Sequence, residues 1–271
     1  MKKGLNRGAL PQNWQPAQIL DTAKAAGFDG VELTFGNEGY LHVNLTNDEL
    51  GTIRKHAESI GIELPSLYTS LNWQVLMTSA DPDVRANAAR INERMLEVAH
   101  EIGANTLLIV PGVVDESTAY DDAYNRARDA LAGLVPKARS LGVSIGVENV
   151  WNKFLLSPLE FARFVDEIND PHVGAYFDVG NILAYGYPEQ WIRILGKRIK
   201  KCHVKDFVAQ RPGGHFTTLL EGDVNWPAVR QAWNEIGYDD YVTVEIGPMR
   251  HNPELGARIM AESLDTIFGL E

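Results

Sequence analysis

The 271-residue sequence predicts an α/β protein folded as a single (β/α)8 TIM barrel over residues 1–271. Three observations support this prediction. Short apolar segments alternate with helical patterns from one end of the sequence to the other. Eight such units average about 34 residues each, the size typical of parallel barrels. No Ser- or Gly-rich linker divides the units, so we expect one domain.

The eight predicted strands are short and rich in Val, Ile and aromatic residues, as strands covered by helices usually are. In chain order they span residues 2–9, 30–35, 62–68, 105–111, 143–148, 173–177, 199–204 and 241–246, and the first is the weakest. The competing fold is a doubly wound open sheet. That fold usually places a Gly-x-Gly-x-x-Gly turn after its first strand, and residues 4–8 lack the pattern.

Helical patterns fill the intervals, over residues 16–26, 48–60, 81–102, 119–141, 158–168, 188–197, 226–236 and 253–268. Several have recognisable beginnings. Thr46, Asp81 and Ser157 are predicted N-caps, while Pro82 and Pro158 fit a first helical turn. Five of the helices end at a glycine, where a left-handed residue commonly terminates a helix: Gly27, Gly61, Gly103, Gly142 and Gly237.

The charge balance disfavours several classes of partner. Twenty-five Lys and Arg oppose 36 Asp and Glu, which gives a net charge of −11. Such a field repels nucleic acids and anionic membranes, so we expect neither as a partner. The single cysteine, Cys202, allows no internal disulfide, and the amino-terminal residues lack the apolar run of a signal peptide. The longest apolar stretch, residues 106–114, is too short to cross a bilayer, so we expect a cytoplasmic protein.

Four consecutive predicted strands end in a potential metal ligand: Glu148, Asp178, His203 and Glu245. The carboxyl ends of all barrel strands meet at one mouth. Three carboxylates crowded there would repel one another unless a cation lies among them. Oxygen-rich ligation with one imidazole suits Mn²⁺, Mg²⁺ or Co²⁺ better than structural Zn²⁺. A lone acid at a strand end is more often a solvated cap, so the prediction depends on the joint placement of all four.

The segments around these strand ends carry a resemblance to a known family. They are Gly-Val-Glu-Asn at 146–149, Phe-Asp-Val-Gly-Asn at 177–181, His-Val-Lys-Asp at 203–206, Gly-Asp-Val-Asn-Trp at 222–226 and Val-Glu at 244–245. They resemble the motifs of the sugar-phosphate isomerase/epimerase superfamily of xylose-isomerase-like barrels. Within it they are most similar to ketose 3-epimerases of the tagatose/psicose and pentulose-5-phosphate types. The similarity covers nearly the whole chain and is densest over residues 142–247.

The resemblance implies a metal-dependent epimerase. Glu148, Asp178, His203 and Glu245 would bind one divalent ion, with Mn²⁺ favoured and Mg²⁺, Co²⁺ or Zn²⁺ as alternatives. Glu148 and Glu245 would also be the two catalytic acid/base groups. Epimerisation at C3 of a ketose requires a carboxyl on each face of a planar enediolate, one removing a proton and the other returning it. The implied partner is a small sugar or sugar phosphate, and a homo-oligomer is possible.

Three further residues near these strand ends are predicted substrate contacts, and each has a structural alternative. Glu32 could hydrogen-bond a sugar hydroxyl, orient a neighbouring ligand or form a buried ion pair. Trp151 could be a wall of the pocket and Lys153 a phosphate contact, although both could equally anchor their loop.

The remaining predicted substrate contacts are Asn181, Lys205 and Arg211. The familiar free-ketose epimerases have an Asp-x-x-His pattern at the place where this sequence has Asn181 instead of the histidine. Unlike histidine, the amide of asparagine does not titrate near neutral pH. This departure leaves the substrate open. Lys205 could polarise an oxygen near the metal or pair with Asp206 or another acid. Arg211 lies in a Gly- and Pro-bearing loop that could fold over the mouth or stay solvated.

Other functions on the same scaffold remain open at this stage. An aldose–ketose isomerase or an inosose-type dehydratase would use the same ion, and a sugar-binding barrel would have lost turnover. The abasic-site endonuclease is a related barrel with a three-zinc centre that uses several extra histidines. Residues 66–69 and 110–113, at earlier strand ends, offer no histidine, and the net charge is −11. The endonuclease is therefore the least favoured alternative.

Overall fold

Eight parallel strands close into a barrel in the computed structural model, which describes residues 1–209 and 213–270. Each strand pairs with its neighbours in the order β1-β10-β7-β6-β5-β4-β3-β2, so the first and last strands complete the ring. This confirms the predicted (β/α)8 barrel. The barrel strands are β1 (Lys2–Asn6), β2 (Gly30–Phe35), β3 (Ser66–Thr69), β4 (Thr106–Ile109), β5 (Ser144–Glu148), β6 (Val173–Asp178), β7 (Ile199–Val204) and β10 (Tyr241–Val244).

Helices surround the barrel, and all except a four-residue helix after β6 lie at the predicted places. They are α1 (Pro16–Ala26), α2 (Asn47–Ile60), α3 (Pro82–Ile102), α4 (Tyr120–Leu141), α5 (Pro158–Ile168), α6 (Val179–Ile182), α7 (Pro188–Leu195), α8 (Trp226–Ile236) and α9 (Pro253–Phe268). The five terminating glycines all adopt the left-handed conformation, with φ of 92° at Gly27 for example. The predicted N-caps are also confirmed, because the side chains of Thr46, Asp81 and Ser157 accept backbone hydrogen bonds from the first turns of their helices.

The third strand begins later than its apolar pattern predicts. Residues 62–65 join the barrel only through a single bridge between Glu63 and Gly30, and Pro65 has no amide hydrogen to donate to a ladder. Ile62 and Leu64 are nevertheless buried in the core. Their apolar character therefore reports burial and not strand pairing.

A hairpin and a short helix near the mouth of the barrel were not predicted. The hairpin pairs β8 (Asp206–Val208) with β9 (His215–Thr217) in antiparallel register directly after β7. The helix is α6, which follows β6 and begins with Asp178 as its N-cap. Arg211 lies outside the described residues, between the two strands of the hairpin.

Glycines inside the barrel make room for a large residue that reaches the site. A Cβ atom at Gly146 would lie 3.0 Å from the Cβ atom of Tyr176, so any other residue would crowd this side chain. Tyr176 is fully buried, and its hydroxyl crosses the interior to Glu32 on β2. The barrel interior is thus polar at its upper layer. Among the described residues, every helix is too short or too polar to cross a membrane.

Candidate metal centre and active site

The four predicted ligands converge at the mouth of the barrel. One ligand atom from each of Glu148, Asp178, His203 and Glu245 lies within 4.8 Å of the others. Glu148 ends β5, Asp178 ends β6 and His203 lies on β7, while Glu245 follows β10 and its amide still donates to the carbonyl of Val204 at 2.9 Å. Within the part of the chain that the structure describes, these four residues are the one group of side chains placed to hold a metal ion.

The imidazole of His203 lies at the centre of this group. Its Nδ1 atom is 3.2 Å from Glu148 and 3.6 Å from Glu245, and its Nε2 atom is 2.7 Å from Glu32. Burial alone would lower the pKa of His203, but the negative charges of Glu32 and Glu245 outweigh it and raise the pKa well above its ordinary value. Nδ1 therefore faces the carboxylates of Glu148 and Glu245, while the carboxylate of Glu32 orients the ring through Nε2.

Glu32 is held by an extended hydrogen-bond network below the mouth. Its carboxylate accepts from Asn6 Nδ2 at 2.6 Å, Ser66 Oγ at 2.9 Å and Tyr176 Oη at 2.7 Å, in addition to His203. The side chain is fully buried among these donors, and its direct contact with a sugar stays a prediction. The geometry instead favours the alternative, in which Glu32 orients a neighbouring ligand.

Lys205 bridges two of the candidate ligands. Its Nζ atom is 2.5 Å from Asp178 and 2.5 Å from Glu245, so its partners are these acids and not Asp206. Burial would lower the pKa of Lys205, but the negative charges of Asp178 and Glu245 raise it. Lys205 is therefore a cation that pairs with acids beside the ligand group, which is one of its two predicted roles. Its action on an oxygen near the metal stays a prediction.

The two glutamates differ in acidity. Burial raises the pKa of Glu148 to about 7. Burial would raise the pKa of Glu245 as well, but the nearby charges of Lys205 and His203 lower it to about 2. The two carboxyl groups on opposite sides of one site are thus in different protonation states near neutral pH. That difference is typical of a paired general acid and general base.

The donor set fits a divalent cation. Three carboxylates and one imidazole are collected in a mostly buried site, and like charges so close together favour a bound cation. These oxygen and nitrogen donors, with no thiolate among them, suit Mn²⁺, Mg²⁺, Co²⁺ or catalytic Zn²⁺. The side chains therefore support a divalent metal site, and their donor atoms suit more than one metal ion.

An aromatic wall rises on one side of the mouth. Trp151 is half exposed, its indole N–H donates to the carbonyl of Asn181 at 2.8 Å, and its ring lies 4.9 Å from that of Phe216 on β9. The amide of Asn181 donates to the carbonyl of Asn149 at 2.9 Å. Trp151 therefore anchors its loop and packs against Phe216, which lines the cavity over the site, and its role as a wall of the pocket stays a prediction. Lys153 is exposed on the same loop, and its role as a phosphate contact stays a prediction.

Sequence reasoning missed Asp206, which secures the unpredicted hairpin. Its carboxylate accepts from the amides of Leu220 and Val224 and from the indole of Trp226, and Gly222 lies so close that any side chain would collide with it. The position of Asp206 beside His203 and Lys205 in the sequence was the available signal. Its partners come from 14 to 20 residues further along the chain, where no periodic pattern points to them.

Known proteins share this architecture. A family model described as a xylose isomerase-like TIM barrel matches residues 20–267. Among curated relatives, the L-ribulose-5-phosphate 3-epimerase UlaE of Escherichia coli (strain K12 / DH10B) is 24% identical over 251 residues, which cover 87% of this chain and 88% of the relative. A solved L-ribulose 3-epimerase has a TM-score of 0.84 at 16% identity, with 98% and 94% of the two chains covered. The IOLI protein with a bound zinc atom gives 0.84 at 19% identity, covering 99% and 98%.

Proposed function

The chain belongs to the xylose isomerase-like TIM barrel family and is an enzyme of the isomerase class, and on this basis we propose that it epimerises a ketose or ketose phosphate at C3 with a divalent metal ion, Mn²⁺ being favoured. The position of two glutamates carries this proposal. Around the barrel, Asp178 and His203 lie between Glu148 and Glu245, so the two acids flank the site from opposite sides. A substrate between them would meet one carboxyl on each face.

The chemistry assigns a role to each glutamate. The C3 proton of a ketose is acidified by the neighbouring C2 carbonyl, and its removal leaves a planar enediolate. Glu245, which is ionised at neutral pH, suits removal of this proton, while Glu148, whose pKa is about 7, suits delivery of a proton to the opposite face. The roles exchange in the reverse direction. A divalent cation held by the four ligands would stabilise the negative charge that develops on the substrate oxygens.

The surrounding side chains support this chemistry by position. Lys205 holds the carboxylate of Glu245 through a contact of 2.5 Å, which fixes the direction from which it approaches C3. Trp151 and Phe216 offer aromatic surface at the mouth, on which the apolar face of a sugar can stack. Trp151, Asn181 and Lys205 are proposed substrate contacts.

Proton exchange at C3 tests the proposal directly. Chelator-treated protein resupplied with Mn²⁺ is incubated in D2O with a panel of ketoses and ketose phosphates, and deuterium at C3 is followed by NMR. We expect exchange and epimer formation with at least one member. Identification of the product separates an epimer from an aldose or a dehydrated diketone, and an absence of exchange across the panel would contradict the proposal.

Isosteric variants test the two glutamates. Glu148→Gln and Glu245→Gln keep the shape of the side chain but remove its ability to carry the proton. Each should lower the exchange rate about 10³-fold. Glu262→Gln, an exposed change on α9, is the matched control and should leave the rate unaltered. Full activity in either site variant would show that the assigned roles are incorrect.

A further inference from the structure

A second cavity adjoins the mouth of the barrel. The first cavity, of about 330 Å³, is lined by Lys205, Phe216 and Glu245 and therefore lies over the candidate site. The second, of about 420 Å³, lies between the turn after β1 and the loop after β2. Gly8 and Tyr68 line both cavities. The two cavities are therefore adjacent, and we call the second one the Arg7 cavity.

Arg7, in the wall of this cavity, is a buried cation with an unusual set of partners. Its side chain is 4% exposed, and its guanidinium donates to three backbone carbonyls, those of Leu10, Pro11 and Gln12, at 2.8 to 2.9 Å. The ring of Tyr40 also lies near it, with the guanidinium carbon 5.5 Å from the ring centroid. Within the described residues, no carboxylate lies within 4 Å of it.

The other buried basic side chains are each neutralised by an acid. Lys201 pairs with Asp240, His203 with Glu32, and Lys205 with Asp178 and Glu245. The backbone carbonyls and the aromatic ring around Arg7 interact with its guanidinium but do not cancel its full positive charge. An uncompensated buried charge destabilises a fold. The positive charge of Arg7 thus remains available to a ligand in the adjoining cavity.

Unpartnered polar atoms gather in the same wall. Five buried side-chain nitrogen or oxygen atoms in the described part of the chain lack a hydrogen-bond partner, and two of them, Arg7 Nε and Thr34 Oγ1, belong to residues that line this cavity. Glu38, the other ionised side chain in the lining, is exposed at the rim, where solvent screens its charge. Within the lining of this cavity, the buried positive charge of Arg7 therefore faces no buried negative charge.

We propose that the Arg7 cavity receives the end of the substrate remote from the reacting carbons, and that this end carries an anionic group, either phosphate or carboxylate. The inference rests on the proposed function and adds the substrate class. Arg7 supplies a positive charge held in place by three carbonyls, so an incoming anion does not have to order a flexible side chain. Thr34 lies in the wall of the same cavity.

Substrate preference tests this subsite. The ratio of kcat/KM for a ketose with a terminal phosphate or carboxylate over the matching neutral ketose is measured for the Mn²⁺-loaded wild type and for Arg7→Met. Loss of one charge-assisted contact should lower this ratio about 30-fold. The phosphate and carboxylate arms show which anion the cavity prefers. Equal ratios in the two proteins would overturn the proposal while leaving the epimerase function intact.

Charge at the rim gives a second variant that does not touch the buried network. Glu38→Gln removes the exposed opposing charge, so at low salt it should raise kcat/KM for the anionic substrate about 2-fold, and added salt should abolish the gain. An unchanged or lowered value at low salt would contradict a cationic subsite. This variant keeps the proposal testable even if Arg7→Met loosens residues 10–12.

A binding measurement separates the subsite from turnover. Inorganic phosphate is titrated into the Mn²⁺-loaded wild type and Arg7→Met, and the midpoint of thermal unfolding is followed. Phosphate should raise the midpoint more in the wild type than in Arg7→Met, because binding to the folded state stabilises it. Equal shifts would overturn the subsite. If phosphate binds through Arg7 but no ketose exchanges, the proposed function fails and the anion site stands.

Discussion

The two ends of the barrel carry buried charge in different ways. At the base, the buried Lys201 pairs with the partly exposed Asp240 at 2.7 Å, and the exposed Lys2 pairs with the exposed Glu63 at 2.6 Å, so positive and negative charges balance. At the mouth, four carboxylates surround two basic side chains: Glu32, Glu148, Asp178, Glu245, His203 and Lys205. The base is therefore neutralised by its own pairs, whereas the mouth keeps an excess of negative charge that a bound cation, or a proton on Glu148, offsets.

The contrast between the base and the mouth predicts the largest effect on metal binding at Glu32, whose carboxylate lies below the mouth and contacts His203. Glu32→Gln keeps the shape but removes the charge that orients His203 through Nε2. Metal affinity should fall by as much as about 100-fold. A competitive chelator titration measures the dissociation constant.

Tyr176→Phe is the matched control for this change. It removes one hydrogen bond to Glu32 but leaves the negative charge, so it should weaken metal binding much less. Equal effects of the two variants would mean that the hydrogen-bond network, and not the charge of Glu32, orients His203. Unfolding by urea, followed in parallel, shows whether either variant acts through global stability.

The charge excess also predicts how the metal-free protein responds to pH. The pKa of Glu148 is raised to about 7, so between about pH 4.5 and 7 the folded state binds more protons than the unfolded state. The free energy of unfolding should therefore fall as pH rises through this window, by about 3 kcal/mol from Glu148. The raised pKa of His203 extends the fall above about pH 6.5.

Urea unfolding in chelator at several pH values from 5 to 8 measures this dependence. Glu148→Gln should flatten the part of the curve below pH 7. Added Mn²⁺ should stabilise the protein more strongly as pH rises, because the metal competes with protons for the same atoms. A metal-free protein that becomes more stable from pH 5 to 8 would contradict the charge excess at the mouth.

The smallest predicted effect belongs to the base. Asp240→Asn leaves the buried ammonium of Lys201 without its carboxylate, which should lower the free energy of unfolding by about 1.5 kcal/mol because Asp240 is itself partly exposed. Metal affinity should not change. Asp239→Asn, at an exposed neighbour, is the control and should alter stability less. A change in metal affinity in Asp240→Asn would show that the two ends are coupled.

Local patterns were enough to predict the barrel and its four candidate ligands. Strand, helix and cap signals are set by nearby residues, and a barrel brings strand ends together whatever their separation, so Glu148 and Glu245 could be grouped from the sequence. The position of Glu32 behind His203 could not be predicted in the same way. The two residues are 171 positions apart, and only the packed interior shows that Tyr176 and Ser66 share the same carboxylate.

Arg7 and the hairpin illustrate a second limit of the sequence. An arginine after a first strand normally indicates a solvated charge, and only the structure shows that it is buried without an acid. The strands of the hairpin are three residues each, too short for a periodic signal, and their geometry depends on Asp206 accepting hydrogen bonds from residues up to 20 positions away.

The anchoring of the hairpin by Asp206 has a consequence for how such a barrel can diversify. One carboxylate fastens both the beginning of the excursion after β7, at the amide of Phe207, and its return, at Leu220 and Val224. The intervening stretch can therefore lengthen, shorten or change composition while the strands beneath keep their register. Exchange of that stretch alone offers a route to new sugar preferences in evolution or in the laboratory.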